Sequence, residues 1–317
     1  MNNLKQEEEK SVPPYLVIMG PTASGKSALS MKLAEHYNGE IIACDSVQIY
    51  KDFNIGSAKP SQEDQVLIPH HMIDILRWHE EFDANQYAQK AKKTIEQIWL
   101  RKKLPILVVG TGLYYRALCR QNFHELPSHK ELRERLKTYS KQKLTTLLYE
   151  KDPKRAKMIH PNDHYRLARA LEVFYITGKT FDQLAEQKTK NTFLPQFTIA
   201  IDISRKELHN RIEQRANQMI ESGFEDEVKQ LLKSGCLKSC KPMNTIGYQQ
   251  LKDHCPKKPF SILTLQSILA ATRQYAKRQT TWFKKMERDM TVSEHTTIDH
   301  IIKAIDTSNL IKIIYQK

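Results

Sequence analysis

Residues 20–27, which read GPTASGKS, match the phosphate-loop pattern G-x-x-x-x-G-K-[ST]. Gly20 and Gly25 allow the backbone to curl, so that several N–H groups can face one anion. The Lys26 amine would add a mobile positive charge, and the Ser27 hydroxyl is placed to bind Mg²⁺. The stretch therefore predicts a polyphosphate site, although the pattern alone does not identify the molecule that carries the phosphates.

Asp45 and Thr111 each follow an apolar segment that reads as a β-strand. A carboxylate at position 45 could act as a general base or hold Mg²⁺, but an aspartate after a strand often only caps the next turn. Thr111 offers an uncharged hydroxyl to a crevice, or is simply a turn residue. In a phosphate-loop NTPase, an apolar strand usually ends in an aspartate that positions magnesium. Here the apolar segment 106–109 is followed by Gly110 and Thr111, so ordinary ATP hydrolysis is disfavoured.

Predicted strands and helices alternate along the chain, and these elements must position the polar residues. The predicted strands are Tyr15–Met19, Glu40–Cys44, Pro105–Gly110 and Phe197–Ile203. The predicted helices are Ala28–Tyr37, Asn85–Lys102 and segments near Lys206–Ser222, Glu225–Lys233 and Leu265–Met286. This alternation indicates a parallel sheet, which binds ligands at the carboxyl ends of its strands. Gly20, Asp45 and Thr111 lie at such ends, so we expect them to share one crevice.

Residues 123–192 differ in character from the rest of the chain. They are polar, rich in lysine and arginine and helical in pattern, and their one strand-like run is the short VFYI at 173–176. The sequence therefore predicts an α/β protein, with a P-loop NTPase-like parallel sheet flanked by helices and a helical insertion domain. The catalytic core would comprise residues 1–122 and 193–317, and residues 1–12 would form a disordered charged tail.

The 317-residue chain carries a formal net charge of +14, which indicates a polyanionic partner such as nucleic acid. Its five cysteines are scattered, and the spacing Cys236-x-x-x-Cys240 matches no standard zinc pattern, so free thiols in a reducing compartment are expected. The apolar runs are strand-sized, and residues 1–10 lack the apolar run of a signal peptide. We therefore expect a cytoplasmic monomer that does not bind membranes.

Basic residues recur with helical spacing in two further segments. Arg166 and Arg169 would share one helix face, either as phosphate contacts or as a solvated surface. In residues 273–286 (RQYAKRQTTWFKKM), basic side chains follow one side of a helix and aromatic side chains another. The basic side favours an RNA loop as partner, whereas the aromatic side is more typical of a buried core.

Arg211 and Arg215 are four residues apart and would lie on one face of a helix. An arginine can bind two phosphate oxygens at once, which suits a diphosphate. Salt bridges with Glu207 or Glu213 are an equally good interpretation of the same spacing.

Taken together, these segments resemble the bacterial tRNA dimethylallyltransferases, also called tRNA isopentenyltransferases. The matching runs, in the family's order, are GPTASGKS (20–27), DSVQIYKDFNIGSAKP (45–60), PHHMIDI (69–75), GTGLYYRAL (110–118), HPNDHYRLARALEVF (160–174), SGFEDEV (222–228), IGYQQL (246–251) and RQYAKRQTTWF (273–283). The phosphate loop is widespread, whereas the combination is specific and spans nearly the whole chain. Val109 departs from the pattern, because the family usually has the first glycine of Gly-Gly-Thr there, and a larger residue would narrow the crevice.

The resemblance implies transfer of a dimethylallyl group from dimethylallyl diphosphate to N6 of adenosine 37, next to the anticodon on its 3′ side, in tRNAs that read codons starting with U. Asp45 would be the general base, and Thr111 would be a hydrogen-bonding partner in the channel. The implied diphosphate site comprises Gly20, Thr22, Ala23, Ser24, Gly25, Lys26, Ser27 and Arg215, with Mg²⁺ at Ser27. The implied contacts with the tRNA anticodon stem-loop are Asp45, Ser46, Val47, Gln48, Tyr165, Arg166, Leu167, Ala168, Arg169, Asn244, Thr245, Ile246, Gly247, Tyr248, Gln249, Arg273, Lys277 and Arg278.

Three other functions stay open on the residues alone. An isopentenyltransferase that acts on free AMP or ATP would share the phosphate loop but would not need the basic insertion. A small-molecule or nucleotide kinase would consume ATP and release ADP, whereas the transferase would release diphosphate. An RNA-binding protein without enzymatic activity would leave the phosphate loop without a role.

Overall fold

The computed structural model describes residues 13–119, 129–185, 197–254 and 261–315. The chain divides into two compact units. The first comprises Met1–Cys119 and Phe193–Lys317, and the second comprises Arg120–Thr192. We call the first the core unit and the second the helical unit. The predicted domain borders at 122/123 and 192/193 and the predicted tail over 1–12 lie outside the described residues, so they stay predictions.

A six-stranded sheet forms the centre of the core unit. Its strands are β1 Leu16–Met19, β2 Glu40–Cys44, β3 His70–His71, β4 Pro105–Val109, β5 Phe197–Ile201 and β6 Met290–Val292. Their spatial order is β3-β2-β4-β1-β5-β6, and all neighbouring strands are parallel. Strand β1 lies between β4 and β5 and is fully buried, which explains its uninterrupted apolar run. The parallel sheet expected from the sequence is confirmed.

Helices follow most of the strands and account for much of the remaining chain. They are α1 Lys26–His36, α2 Gln62–Leu67, α3 Ala84–Leu100, α4 Gly112–Cys119, α5 Lys130–Lys137, α6 Lys141–Lys151, α7 Pro153–Met158, α8 His164–Thr177, α9 Phe181–Ala185, α10 Arg205–Glu221, α11 Phe224–Lys233, α12 Tyr248–His254, α13 Ile262–Phe283, α14 Ile298–Thr307 and α15 Asn309–Tyr315. Helices α5–α9 belong to the helical unit and the others to the core unit. Over the four described ranges, none of these helices combines the length and the apolar character that crossing a membrane requires.

Local sequence signals explain where two core helices begin. Helix α3 starts after Asp83, whose side chain accepts hydrogen bonds from the first-turn N–H groups, while the Gln86 side chain accepts one from the backbone N–H of Asp83. Helix α1 begins at Lys26, two residues earlier than expected, because Gly25 adopts a φ of 95° and turns the loop directly into the helix. The lysine and serine of the phosphate loop are therefore the first two residues of α1.

The helical unit has its own apolar core. Its buried leucines come from α5, α6 and α8 and are Leu136, Leu144, Leu148, Leu167 and Leu171. The strand-like run at 173–176 is the end of α8, which stops where Gly178 adopts a φ of 67°. The sequence was misleading at this point because a short apolar run fits a partly buried helix as well as a strand.

Candidate active site

The phosphate loop joins the buried end of β1 to α1, as its motif predicts. A Cβ atom at Gly20 would lie 2.8 Å from Ser24 Oγ, and Gly25 has a φ of 95°, so both positions favour glycine. Ala23 also adopts a positive φ, of 61°. Ser24 is buried against Gly20, and its hydroxyl has no hydrogen-bond partner among the described residues. The loop is thus a tight curl that favours glycine at positions 20 and 25.

Lys26 lies in this curl with its amine directed at the loop itself. Its Nζ donates to the carbonyl oxygens of Gly20 at 2.8 Å and Pro21 at 2.7 Å. Burial, together with the positive charge of Arg215, lowers the pKa of Lys26 to about 7, and the Asp45 carboxylate opposes this shift. A polyanion in the loop would favour the protonated amine and relieve its repulsion from Arg215.

Arg211 and Arg215 leave α10 one turn apart but have different partners. Arg211 Nε lies 2.7 Å from Glu207 Oε1, and Arg273 Nη2 lies 3.0 Å from Glu213 Oε2. The two glutamates considered as partners of Arg215 are therefore bound to other arginines. Both arginines also reach the phosphate loop, Arg211 through a hydrogen bond from Nη1 to Ser24 O at 3.5 Å and Arg215 through Thr22.

Arg215 Nη1 donates to Thr22 Oγ1 at 3.4 Å. Burial lowers the pKa of Arg215, and the Asp45 carboxylate raises it. Lys26, Arg215 and Asp45 are thus close enough to influence one another, with two positive groups for one negative group. This surplus of positive charge suits a ligand that carries several negative charges.

Asp45 follows β2 and has two distinct environments for its carboxylate. Its Oδ1 accepts hydrogen bonds from Val47 N at 2.8 Å and Gln48 N at 3.3 Å. This oxygen therefore caps a turn, as one interpretation of the sequence proposed. The other oxygen lies beside Gly110, where an added Cβ would come within 2.9 Å of Oδ2. The second oxygen stays available for chemistry, so turn capping and a catalytic role are compatible.

Thr111 follows β4 and is held next to Asp45 through Ser46. Its Oγ1 accepts a hydrogen bond from Ser46 N at 3.0 Å and donates to Ser46 Oγ at 3.3 Å. Its backbone N–H donates to Cys44 O at 2.8 Å. The expectation that residues 45 and 111 come together at one edge of the sheet is confirmed, and the hydroxyl of Thr111 fixes the backbone of Ser46.

Two cavities, of about 340 and 520 Å³, meet at this edge of the sheet. Residues common to their walls are Thr22, Asp45, Ser57, Arg215 and Tyr275. The larger cavity also borders Lys26, Ser27, Gln48 and Gly110. The smaller cavity also borders Ala23, Ser46, Val47 and Arg278. The phosphate loop, through Thr22, and Asp45 therefore border both cavities.

Segment 244–249 forms another wall of the smaller cavity, through Asn244, Thr245, Ile246 and Gly247. The two residues that follow behave differently, because Tyr248 is fully buried and Gln249 is exposed. The Tyr248 hydroxyl donates to Glu227 Oε1 at 2.6 Å, which anchors the segment to α11. Tyr248 thus holds this wall in place and does not border the cavity.

Helix α13 carries the basic residues predicted to contact RNA. Arg278 borders the smaller cavity, and its guanidinium lies 5.8 Å from the ring centroid of Tyr275. Lys277 is exposed, and Arg273 is paired with Glu213. Of the three, Arg278 is the one that the structure places at the site.

Two residues of α13 at the site were not identified from the sequence. Tyr275, which we expected in the core, borders both cavities, and burial raises its pKa to about 12, with a further contribution from Asp45. Gln279 is buried and borders the larger cavity. A usable signal existed, because Gln279 falls on the same helical face as the buried Ala276 and Phe283, where a polar residue is unusual.

The helical unit carries the predicted contact segment 165–169 on α8. Tyr165 and Arg166 are exposed, whereas Leu167 and Ala168 are buried in the core of that unit. Arg169 Nη1 lies 2.7 Å from Glu172 Oε2, and Glu172 is fully buried. The side chains of Leu167 and Ala168 therefore pack inside the helical unit and not on its surface. Arg169 is held by its ion pair with Glu172.

The predicted Mg²⁺ ligand fits its position. Ser27 is exposed at the first turn of α1 and borders the larger cavity together with Asp45. Hydroxyl and carboxylate oxygens beside a bound polyphosphate are the ligand types that Mg²⁺ prefers. Over the described ranges, no three His, Cys, Asp or Glu side chains are grouped so as to hold a metal ion.

The paired histidines of β3 have separate environments. His71 Nε2 lies 2.6 Å from Glu40 Oε2, in a cluster with Arg101 and Lys103 at the start of β2. His70 borders the larger cavity, and burial lowers its pKa. The difference follows from the strand geometry, because adjacent strand residues point to opposite faces.

Comparisons with known proteins agree with this geometry. A sequence model described as IPP transferase matches residues 48–286. The tRNA dimethylallyltransferase of Thermoanaerobacter sp. strain X514 is 40% identical over 278 residues, which cover 85% of this chain and 88% of that protein. A tRNA delta(2)-isopentenylpyrophosphate transferase from Staphylococcus epidermidis superposes with a TM-score of 0.66 at 34% identity, over 96% of this chain and 100% of that chain. A eukaryotic dimethylallyltransferase acting on tRNA gives a TM-score of 0.71 at 29% identity, over 92% of this chain and 72% of that chain.

Proposed function

The chain belongs to the IPP transferase family, and we propose that it transfers a dimethylallyl group from dimethylallyl diphosphate to a tRNA adenosine. The acceptor is N6 of adenosine 37, adjacent to the anticodon on its 3′ side, in tRNAs that read codons starting with U. The products are N6-(dimethylallyl)adenosine in tRNA and free diphosphate. The family membership supports the reaction type, and the arrangement of the site supports the assignment of roles.

One observation carries the proposal: Asp45 and Arg215 border both cavities. The larger cavity contains the phosphate-loop residues Lys26 and Ser27, which suit the donor's diphosphate. The smaller cavity is bordered by segment 244–247, which matches the family's tRNA contacts. Dimethylallyl diphosphate in the larger cavity and the tRNA adenine in the smaller cavity would meet at Asp45.

The positive groups in and beside the phosphate loop can stabilise the departing diphosphate. As the allylic carbon–oxygen bond breaks, negative charge develops on the diphosphate, and Lys26, Arg215 and the loop N–H groups can stabilise it. Arg215 already faces the loop, whereas the Lys26 amine would exchange its hydrogen bonds to the Gly20 and Pro21 carbonyls for the diphosphate. Mg²⁺, held by Ser27 and phosphate oxygens, would supply additional charge neutralisation.

Asp45 would act on the acceptor, adenosine N6, as the general base. The lone pair of N6 is delocalised into the purine ring, so N6 is a poor nucleophile until its proton begins to leave. The carboxylate oxygen of Asp45 that is not capping the turn is available to accept that proton. Adenosine must leave the stacked anticodon loop to reach this point, as other base-modifying enzymes require. Apolar side chains of the smaller cavity, Phe224 and Ile246 among them, offer surfaces for the extruded base.

The net charge of +14 supports a polyanionic substrate beyond the diphosphate. Cys44, Cys119, Cys236 and Cys240 are not joined in disulfides, which is consistent with a reducing compartment. Action on tRNA in the cytoplasm, by a monomer, is part of the proposal.

The test is incubation of the protein with Mg²⁺, dimethylallyl diphosphate labelled in its five-carbon group, and unmodified tRNA. The expected result is label in tRNA and one diphosphate released for each group transferred. Parallel reactions replace the tRNA with AMP or ATP, or replace the donor with ATP. A matched tRNA with guanosine at position 37 controls for the acceptor atom.

Each alternative function predicts a different outcome. Label in AMP or ATP but not in tRNA would indicate a free-nucleotide transferase, and ADP formation would indicate a kinase. Binding of tRNA without any transfer would indicate a non-enzymatic RNA-binding protein. Equal labelling of the guanosine-37 tRNA would contradict the proposed acceptor.

A further inference from the structure

Gln279 connects two parts of the site that are far apart in sequence. Its Oε1 accepts a hydrogen bond from Thr22 N at 2.8 Å, and its Nε2 donates to Gly110 O at 2.8 Å. Thr22 belongs to the phosphate loop, and Gly110 follows β4 next to Asp45. One side-chain amide therefore spans from the loop expected to bind the leaving group to the strand end beside the expected general base.

The orientation of this amide is fixed by its partners. A backbone N–H can only donate and a backbone carbonyl can only accept, so the oxygen of Gln279 must face Thr22 and its nitrogen must face Gly110. The side chain is only 8% exposed, and a buried amide without partners would be costly. Both hydrogen bonds are short, and helix α13 provides a rigid base for the side chain.

The two partners of Gln279, Thr22 and Gly110, lie next to the groups expected to react: Thr22 belongs to the phosphate loop, and Gly110 lies beside Asp45. The hydroxyl of Thr22 accepts from Arg215, and its backbone N–H is occupied by Gln279 rather than directed to a ligand. Gly110 N donates to Cys44 O at 3.0 Å, and a Cβ on Gly110 would lie 2.9 Å from Asp45 Oδ2. A shift of either partner would therefore change the separation between the phosphate loop and the Asp45 carboxylate.

We infer that Gln279 is a positioning residue that sets the distance between the diphosphate cradle and the general base. This inference rests on the proposed transferase function, which supplies the two groups that must be aligned. Gln279 need not touch either substrate for this role. Its effect would be on the alignment of bound reactants, and a misplacement of about 1 Å can lower a rate by about 100-fold.

The principal test is Gln279→Met, which keeps a side chain of similar length and removes both hydrogen bonds. Gln279→Asn is the second variant, because its amide adds no charge to the cavity that would bind diphosphate but is one methylene too short to reach both Thr22 N and Gly110 O. Gln230→Asn on α11 is the matched control, since Gln230 is exposed and borders neither cavity. For each protein, kcat, KM for dimethylallyl diphosphate, Kd for inorganic diphosphate, Kd for tRNA and the thermal midpoint are measured.

We expect both position-279 variants to lower kcat by about 10- to 100-fold while the KM and both Kd values change less than about threefold. Gln230→Asn should match the wild type in every measurement. An unchanged kcat in a folded variant would overturn the inference, and so would a loss of diphosphate affinity as large as the loss of kcat. If Gln279→Met does not fold, Gln279→Asn decides by the same criteria. Absence of transfer by the wild type would instead refute the proposed function.

Discussion

One carboxylate oxygen of Asp45 accepts a hydrogen bond from the backbone N–H of Val47 at 2.8 Å, while its other oxygen lies beside Gly110. The residue expected to be the general base therefore also shapes the start of segment 45–48. An alanine at position 45 would remove both functions at once. An asparagine keeps an oxygen to cap the turn and removes only the basic group.

Asp45→Asn should therefore lower kcat by about 100- to 10,000-fold, the usual range for loss of a general base. The Kd for tRNA should stay within about twofold of the wild-type value, because the turn cap is preserved. Steady-state kinetics and filter binding provide the two values. A parallel loss of tRNA affinity and turnover would argue that Asp45 binds tRNA rather than acts as a base.

Arg215 and Arg205 lie on the same helix, α10, but only Arg215 borders the two cavities. Arg215→Ala removes a cation that faces the phosphate loop and should lower kcat by about 100-fold or more. Arg205→Ala removes an exposed arginine that borders neither cavity and should change kcat less than about threefold. Inorganic diphosphate should bind less tightly to Arg215→Ala only. Equal effects of the two substitutions would contradict a specific role of Arg215 in holding the leaving group.

Of the two arginines on α8 predicted to contact phosphate, Arg166 is the more exposed. Its side chain is 72% exposed and its Nε lies 3.4 Å from Asp163 Oδ2. Arg166→Ala should weaken tRNA binding and reduce the slope of log K against log salt by about 0.7 to 0.9. Lys137→Ala, an exposed change in the same unit, serves as the control. A salt slope identical to that of the wild type would exclude a phosphate contact at Arg166.

Arg169 should behave differently because its partner is fully buried. Burial alone would raise the pKa of Glu172, but hydrogen bonds from Arg169, from the His129 N–H and from Arg133 hold that pKa below its ordinary value. A lowered pKa in the folded state means that the stabilisation is present above the ordinary value of 4.5 and is lost as the pH falls through the folded value. The wild-type helical unit should therefore lose stability as acid protonates Glu172.

Arg169→Ala removes one of these partners, so it should lower the free energy of unfolding by about 1–3 kcal/mol near neutral pH and move acid unfolding to higher pH. Circular dichroism at a series of pH values is the measurement. Arg166→Ala should leave the acid transition unchanged. If the two variants unfold at the same pH, the Arg169–Glu172 pair does not stabilise this unit.

The main elements of the core followed from local sequence patterns. Strand β2 occupies Glu40–Cys44 as expected, and the helical face formed by Tyr87, Ala91, Ile95 and Ile98 is buried along α3. Apolar periodicity and loop glycines contain enough information for such elements because the physical causes are local. The convergence of Asp45 with Thr111 also followed, since parallel strands end at one edge of the sheet.

The parts of the site that the sequence did not reveal depend on long-range contacts. The partners of Gln279, Thr22 N and Gly110 O, lie 257 and 169 positions away. Likewise, the spacing of Arg211 and Arg215 could not distinguish which of the two pairs with Glu207. Such choices depend on how α10 and α13 pack against the sheet, and helical spacing does not specify that packing.

The central claim is that diphosphate departure from the phosphate loop and attack by adenosine N6 at Asp45 are one reaction. It is tested most directly by a single-turnover experiment with enzyme in excess over tRNA, in which released diphosphate and N6-(dimethylallyl)adenosine are quantified at each time point. The account predicts that both appear at the same rate, in equal amounts and at adenosine 37. Diphosphate release without modified adenosine, or ATP cleavage with no five-carbon group on the tRNA, would contradict it.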